Sequence, residues 1–474
     1  MVGQHAVYPN VRVSAEAVRL PHHALTCLLA GLWLLTLFGH CAIAADPEAF
    51  GKPLELGGSL ELVYEQLRNG AFGQQIGDDV RTSKQEIQLQ LSYRASERLS
   101  ALGEIKWRAE QQTYANETSR LSETEGDRGE TWLYWQRPFD SNASIKIGRQ
   151  NFAEPRQWWW DEDLDALRFD YIGHSWHLML GIAEALARKT SREKFIDPQD
   201  DQVLRLLAHA GWRLSSSLQF SLFYLHQNDH SKQPSLDSLV ETRRIDDSDA
   251  DLRWAGLRVS GDINPSQHTI LRYWLDNAAV SGNEVVFEYG NETAGMSPVT
   301  ARRQQRVRGH AVDMGLIWSP TPALGPTLAL SHARGSGDKN LNDDTDRAFR
   351  QTGLQDPTQE FRYYGELLRP ELSNLSITTA TIGFGVTPKS RLTLGYHQFR
   401  QVHPAAFLRD ARIDLRPTGQ DTDLGREISL LVEIREWQDL KVVLAAASFQ
   451  AGRAFGPAAG ERANSVFLEF TYEF

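Results

Sequence analysis

The chain has 474 residues, a formal net charge of −11 and an aromatic content of 10%. The length allows two or three ordinary domains or one very large barrel. An acidic total argues against nucleic acid as a partner, because nucleic-acid-binding domains usually carry a basic surface.

Residues 1–44 have the pattern of a secretory signal peptide. Arg12, Arg19, His22 and His23 precede the apolar run Ala24–Phe38, and Ala42–Ala44 supplies the small-x-small pattern at which such leaders are cleaved. The run is short for a membrane-spanning helix, although an uncleaved anchor is the alternative. Both cysteines lie in this leader, so the mature chain predicted at 45–474 has no disulfide and no thiolate metal site.

Period-two alternation dominates the rest of the chain. In residues 86–93 and again in 466–474, most apolar residues share one parity and the polar residues share the other, with Phe467 as the exception. This pattern predicts strands with one apolar face. A soluble β-sandwich alternates as well, so the number of segments and the end of the chain decide between the two.

Alternating segments recur along the whole mature chain and predict about eighteen strands. They centre near residues 61, 88, 105, 132, 147, 168, 181, 207, 222, 256, 272, 313, 330, 379, 395, 430, 444 and 468. Long connections are predicted near 67–83, 113–127, 151–162, 187–201, 229–249, 279–306, 336–371, 402–424 and 451–462. Short connections are predicted near 94–97, 137–142, 213–215, 262–265, 320–324 and 387–388.

The alternation of long and short connections is typical of transmembrane β-barrels, which have long extracellular loops and short periplasmic turns. The chain also ends on Phe474 in an alternating segment, as outer-membrane proteins commonly do. We therefore predict an all-β, antiparallel transmembrane barrel of about 18 strands in the outer membrane. The barrel would be a monomer surrounded by outer-membrane lipid, and the barrel-assembly machinery would recognise its C-terminal strand.

Tryptophans cluster near the predicted segment ends and in loops, and some are expected to form the aromatic girdles of a barrel. They are Trp132, Trp135, Trp158, Trp159, Trp160, Trp212, Trp254, Trp274 and Trp318. A core position is the alternative for those at inward parity, such as Trp274.

Charged residues within the segments lie mostly at the parity opposite to the apolar residues. A charge facing lipid at the membrane midplane costs about 2–4 kcal/mol, so these side chains are predicted to face the lumen. The predicted substrate-attracting residues are Arg108, Arg205, Arg258, Arg272 and Arg369. The predicted acidic lining residues are Glu104, Asp161, Glu427 and Glu469. Mutual neutralisation of these charges is the alternative to contact with a substrate.

No nucleophile elbow, zinc-protease motif or phosphate loop is found in the sequence, so neither catalytic residues nor a cofactor is predicted. A barrel enzyme or adhesin is the competing class. One loop is rich in oxygen ligands that suit Ca²⁺, although a solvated outer loop is the favoured explanation and no metal is predicted. Its candidate ligands are Asp338, Asp343, Asp344 and Asp346.

Several stretches together resemble the alginate-export family of outer-membrane barrels. They include Ile145–Gln150, Trp158–Leu167, Gly365–Leu375 and Val466–Phe474, in order from about residue 140 to the end. The resemblance implies an eighteen-stranded monomeric barrel through which an anionic polysaccharide leaves the periplasm. It also implies that arginines at a constriction attract uronate carboxylates.

The sequence departs from that family at several positions. Asn151, Val443, Ala445 and Gly129 stand where the family has arginines, whereas Asp161 and Glu469 match acidic lumen positions. The turn at 436–439 is too short to cover the pore mouth as the family's long periplasmic turn does. We therefore predict a channel for an anionic, alginate-like polysaccharide or related anionic solutes, with a general porin for small acidic solutes as the alternative.

Overall fold

The alternating segments form long strands in a computed structural model of the chain. It describes residues 54–73, 79–114, 120–266, 268–320, 325–340, 343–355 and 364–474. The predicted leader, residues 1–44, lies outside the described residues.

Twenty strands and three short 3₁₀ helices make up the regular structure of the described residues. The strands are β1 Leu54–Arg68, β2 Val80–Arg94, β3 Leu99–Tyr114, β4 Arg120–Gln136, β5 Ala143–Ala153, β6 Asp161–Ile172, β7 Trp176–Ala183, β8 Val203–Ser215, β9 Leu218–Asp229, β10 Leu239–Glu241, β11 Ser248–Ser266, β12 Thr269–Tyr289, β13 Met296–Ser319, β14 Pro326–Gly335, β15 Thr345–Asp346, β16 Leu375–Gly385, β17 Arg391–Gln401, β18 Asp423–Ile434, β19 Leu440–Ala451 and β20 Arg462–Glu473. The 3₁₀ helices are Pro138–Asp140, Thr242–Arg244 and Arg453–Ala458.

Eighteen of these strands close into one antiparallel barrel. Each pairs with the next long strand, and β20 returns to pair with β1 from Ser59–Glu473 to Arg68–Asn464. Closure leaves no free sheet edge, which a structure that crosses a bilayer requires. The short β10 and β15 both pair with β13. All eighteen predicted segment centres lie within the long strands, so the predicted fold is confirmed.

The two faces of the barrel wall differ as the alternation predicts. On β3, Ile105 and Trp107 are 64% and 58% exposed. The alternate positions Glu104 and Lys106 face inward, and Glu104 is buried. Exposed apolar side chains therefore form the lipid-facing surface. Trp135, Trp212 and Trp318 are exposed near the turn ends of their strands, where an aromatic girdle is expected. No helix of the described residues has the length and apolarity to cross a membrane.

Two predicted long connections are shorter than the sequence suggested. The connection predicted at 113–127 is mostly strand, because β4 begins at Arg120. The connection predicted at 279–306 reduces to residues 290–295, since β12 and β13 extend to 21 and 24 residues. The backbones of β12 and β13 remain hydrogen-bonded to each other beyond the membrane-spanning part of the barrel. Backbone pairing there does not require the strands to present apolar side chains to lipid.

The last residue is fixed against the first strand. Gly58 and Phe474 exchange two backbone hydrogen bonds of 2.9 and 3.0 Å. The Phe474 ring lies so close to Gly58 that a Cβ there would stand 2.8 Å from it. Glycine at this position therefore allows the terminal aromatic residue to lie across β1.

Four of the tryptophans expected near the membrane interfaces lie inside the barrel instead, and one of them is Trp254 on β11, which is 2% exposed. Trp158, Trp159 and Trp160 are each about 98% buried or more, in the connection between β5 and β6. They join a core that also contains residues from the connection between β14 and β16, such as Leu367 and Leu368. Two extracellular loops thus fold inward and supply an apolar core within the lumen.

Candidate functional site in the lumen

A row of paired charges covers the inner wall over β1 to β4. Lys84 lies 3.0 Å from Glu61 and 3.2 Å from Glu86. Arg108 continues the row, with Nε 3.0 Å from Glu86 and a terminal nitrogen 3.3 Å from Asp127. We call Glu61, Lys84, Glu86, Arg108 and Asp127 the charged row. Their side chains are 12–25% exposed, so they are partly hydrated and accessible from the lumen.

Glu104 lies beside this row on β3. Its carboxylate accepts a 2.7 Å hydrogen bond from Gln88 and lies 3.3 Å from Lys106. A Cβ on Gly129 would stand 2.3 Å from the Glu104 carboxylate. Glu104 therefore occupies the space in front of Gly129, where the resemblance led to an expected arginine.

Arg258 lies at the centre of a buried ion network. Its Nε donates to Asp276 at 2.7 Å and another nitrogen donates to Glu154 at 3.0 Å. Arg156 in the β5–β6 loop contacts Asp276 as well and lies 3.1 Å from Asp313. Two guanidinium groups are thus shared among three carboxylates, which joins the loop to β11, β12 and β13.

A second inward loop attaches to the same network. The Tyr364 hydroxyl donates to Asp313 at 2.7 Å and accepts from the Trp158 indole at 2.8 Å. The Trp274 indole donates to the other Asp313 oxygen at 2.7 Å. Asp313 therefore links the β14–β16 loop to the barrel wall and to the tryptophans of the β5–β6 loop.

Glu427 on β18 anchors the following residues of the β14–β16 loop. Its carboxylate accepts backbone hydrogen bonds from Glu366, Leu367 and Leu368 at 2.6, 3.1 and 3.0 Å, and it is fully buried. Three converging N–H groups are a strong arrangement for a carboxylate in a low-dielectric site. The predicted lumen residue Glu427 thus serves to hold the loop.

Close aromatic packing completes the attachment of the β5–β6 loop. Trp159 stacks on Phe223 with ring centroids 4.8 Å apart and an interplanar angle of 8°. A Cβ on Gly256 would stand 2.2 Å from the Trp159 ring. The absence of a side chain on β11 therefore makes room for the indole.

A cavity of about 520 Å³ lies at the extracellular end of the lumen. Its acidic lining residues are Glu162, Asp163, Asp165, Glu184, Asp197, Asp200, Asp229, Asp246, Asp247, Glu284, Glu371 and Asp410. Its basic lining residues are Arg149, Lys189, Arg205, Arg350 and Arg409. We call it the outer cavity; its excess of carboxylates makes the potential at this mouth negative.

Arg205, one of the predicted arginines, belongs to this cavity. It is 7% exposed and lies 2.8 Å from Asp200, which is also 3.0 Å from Lys189. Burial opposes ionisation of Asp200, but Lys189 and Arg205 together hold its pKa below the usual value. The ion pair between Asp200 and Arg205 therefore remains charged at neutral pH and fixes the β7–β8 loop.

The other predicted residues lie in separate parts of the lumen. Arg272 is 58% exposed at the turn end, 3.0 Å from Asp262. Arg369 is buried within the inward loop and donates to the Glu366 carbonyl at 3.0 Å. Glu469 lies 2.9 Å from Lys441.

Asp161 lies at the start of β6, where it accepts a 2.7 Å hydrogen bond from Gln157. Because the predicted arginines lie in different parts of the barrel, the structure does not gather them into one constriction.

Three of the four carboxylates in the candidate Ca²⁺ loop lie beside arginines. Asp338 and Asp343 face Arg347 at 3.5 and 3.0 Å, and Asp346 lies 2.7 Å from Arg350. In the part of the chain that the structure describes, no three His, Cys, Asp or Glu side chains converge as a metal site would require.

Four residues of the network were missed from sequence: Glu154, Arg156, Asp313 and Tyr364. Asp313 shares the inward parity of β13, so the alternation could have identified it. Arg156 and Tyr364 lie in loops without periodicity, and only the folded chain brings them to Asp313.

The Asp246 carboxyl at the outer cavity leads to a pH prediction. Burial, with the nearby carboxylates of Asp229, Asp247 and Asp249, raises its pKa to about 7. It is therefore neutral at pH 6 and negative at pH 8, which adds charge to an acidic mouth. We expect the anion-to-cation permeability ratio, measured by reversal potential in planar bilayers, to fall between pH 6 and 8. Asp246→Asn should flatten that fall; an unchanged pH profile in this variant would contradict the prediction.

Comparisons with known proteins agree with this architecture. The sequence model of the alginate export family matches residues 52–469. The alginate production protein AlgE of Pseudomonas aeruginosa is 22% identical over 360 residues, which cover 70% of each chain. AlgE of Azotobacter vinelandii is 21% identical over 305 residues, covering 60% of this chain and 61% of that protein.

Among solved structures, OccK7 (OpdD) of Pseudomonas aeruginosa superposes with a TM-score of 0.54 and 13% identity, covering 89% of this chain and 98% of that one. At this identity the similarity shows a shared fold. The family match and the closed barrel place the protein in the outer membrane as a channel. Because the family model spans most of the chain, the protein belongs to the alginate export family.

Proposed function

We propose that this outer-membrane channel passes an anionic, alginate-like polysaccharide or a shorter acidic saccharide along the charged row. The observation that carries the proposal is the partly exposed Arg108 on the inner wall of a barrel of this family. The mature chain would be residues 45–474, assembled as a monomer through its C-terminal strand and without catalytic residues.

Arg108 suits transient contact with carboxylates. One guanidinium is shared by Glu86, Asp127 and, at 3.6 Å, Glu125, and its side chain is 25% exposed. A uronate carboxylate could replace one of these partners without leaving an unpaired charge. Because the protein carboxylates compete for the same guanidinium, the contact stays weak enough for release, as conduction requires.

The remaining predicted arginines are assigned other roles in this proposal. Arg205, Arg258 and Arg369 are buried among loop contacts, so they hold loops in place. Arg272 is exposed at the turn end, where it would meet a substrate that enters from the periplasm. The negative outer cavity would keep an anionic chain from binding tightly at the opposite end.

The charge of Arg108 can be tested by ion selectivity. We expect Arg108→Gln to enlarge the excess of carboxylates over cations in the charged row and to lower the anion-to-cation permeability ratio severalfold, as rings of charge set selectivity in pores. Reversal potentials in planar bilayers under a KCl gradient measure this ratio. Arg98→Gln, at an exposed turn, is the matched control. Equal ratios for both variants would contradict the assignment.

Uptake of small acidic solutes is the second candidate, and the inward-folded loops favour it because they narrow the lumen. Blockade of the single-channel current by oligouronates of increasing length separates the two functions. Export of a polymer predicts blockade events whose duration increases with chain length up to at least ten sugars. A channel for small solutes would be blocked by monomers and dimers alone.

A further inference from the structure

Arginines at the extracellular ends of several strands point away from the lumen. They are Arg306 and Arg308 on β13, Arg334 on β14, Arg400 on β17 and Arg426 on β18, and all five are exposed. We call them the outer arginine belt. On β13 they share the parity of the exposed residues Met314 and Leu316, which face lipid.

Strand geometry places the belt at the upper boundary of the membrane. Arg308 is ten residues from Trp318, which is exposed near the turn end. Ten residues at a strand tilt near 40° span about 25 Å along the membrane normal, and the apolar band of such barrels is about 25 Å tall. The guanidinium group of Arg308 therefore stands at the height of the lipid headgroups in the outer leaflet, and Arg306 lies two residues beyond it. Arg334, Arg400 and Arg426 lie within one to three residues of the extracellular ends of their strands.

The register brings the belt together around one side of the barrel. Arg334 pairs across the sheet with Val312 of β13 and with Ser376 of β16, and Ser376 is in turn opposite Arg400. Arg426 lies one strand further, opposite Gln398. Arg334, Arg400 and Arg426 thus follow one another over β14 to β18 within two residues of register, and Arg308 lies four residues along β13 from the partner of Arg334.

These arginines lack the carboxylate neighbours that exposed arginines elsewhere possess. Within the described residues, no carboxylate lies within 4.0 Å of Arg306, Arg308, Arg334 or Arg400, and Arg426 donates to the Gln450 amide oxygen at 2.9 and 3.1 Å. By contrast, exposed Arg98 and Arg435 lie 2.6 and 3.6 Å from Asp140 and Glu433.

We propose that the outer arginine belt binds the phosphate groups of a phosphorylated glycolipid in the outer leaflet. Guanidinium groups match phosphate oxygens with two parallel hydrogen bonds, and basic residues at headgroup height recognise anionic lipids. The lipid chains of the same molecule would lie against Met314, Leu316 and their neighbours. This site is separate from the lumen and does not depend on which solute the channel carries.

The test uses the whole barrel and a defined lipid. Purified protein in detergent is titrated with the glycolipid lipid A carrying both phosphates, and bound molecules are counted by native mass spectrometry. The variant is Arg306→Gln/Arg308→Gln/Arg334→Gln. The matched control, Arg98→Gln/Arg435→Gln/Arg453→Gln, removes three exposed arginines that have carboxylates within 4.0 Å.

At roughly a factor of five for each of the three basic residues near the headgroups, the belt variant should bind about a hundredfold more weakly, whereas the control should bind normally. Enzymatically dephosphorylated lipid A should bind the wild-type protein as weakly as the intact lipid binds the belt variant. Equal binding by the belt variant and wild type, equal loss in both triple variants, or undiminished binding of the dephosphorylated lipid would each overturn the proposal. Retention of heat-modifiable migration in gels verifies that both variants fold.

Discussion

Arg258→Met is expected to destabilise the barrel by about 3–5 kcal/mol, because removal of one partner from a buried ion network leaves uncompensated charge. Arg258 is 6% exposed, and its hydrogen bonds of 2.7 and 3.0 Å serve Asp276 and Glu154. Without the guanidinium, both carboxylates stay buried while Arg156 alone faces Asp276. Urea titration followed by tryptophan fluorescence should show the lower free energy of unfolding.

A charge-balanced partner variant distinguishes the network from simple loss of packing. Arg258→Met/Glu154→Gln removes one cation and one anion, so it should recover part of the lost stability. If the double variant is as unstable as the sum of the two single variants, the charges are not coupled as the structure implies.

Glu427→Ala is expected to release the β14–β16 loop from the wall and to raise the single-channel conductance severalfold. The substitution removes the acceptor of three backbone N–H groups at 2.6–3.1 Å, and each unsatisfied buried donor costs about 1–3 kcal/mol. The segment around Leu367 and Leu368 would therefore leave the lumen for solvent. Planar-bilayer recordings measure the conductance, and protease sensitivity of the loop reports its exposure.

Glu427→Gln is the control for that result. The amide keeps one oxygen acceptor but introduces a donor that faces other donors, so an intermediate conductance is expected. Wild-type conductance in Glu427→Ala, with the loop still protected from protease, would show that Glu427 does not hold the loop.

The sequence was sufficient to predict the barrel because its wall repeats one physical requirement. Each strand must present apolar residues to lipid at every second position, and Ile105 and Trp107 follow that rule on the same strand as the buried Glu104. The inward position of the charged residues followed from the same alternation. The connection predicted at 279–306 was too long because the strand lengths of β12 and β13 were underestimated. Their alternation continues beyond the apolar band.

The interior was less predictable because it depends on partners distant in sequence. Glu154 and Arg258 are 104 residues apart, and Arg156 is 157 residues from Asp313. Nothing local distinguishes a tryptophan that stacks on Phe223 inside the barrel from one that lies at the membrane interface. Register and loop direction determine which arginine meets which carboxylate, and neither is encoded in a short pattern.

Passage of an oligouronate through the reconstituted barrel tests the central claim most directly. Proteoliposomes would be loaded with a fluorescent oligouronate of about six sugars and a reference neutral dextran of greater hydrodynamic size. Our account predicts that wild-type protein releases the oligouronate, that Arg108→Gln slows this release, and that the dextran is retained. Retention of the oligouronate at the same level as in protein-free liposomes, by protein shown to be folded, would contradict it.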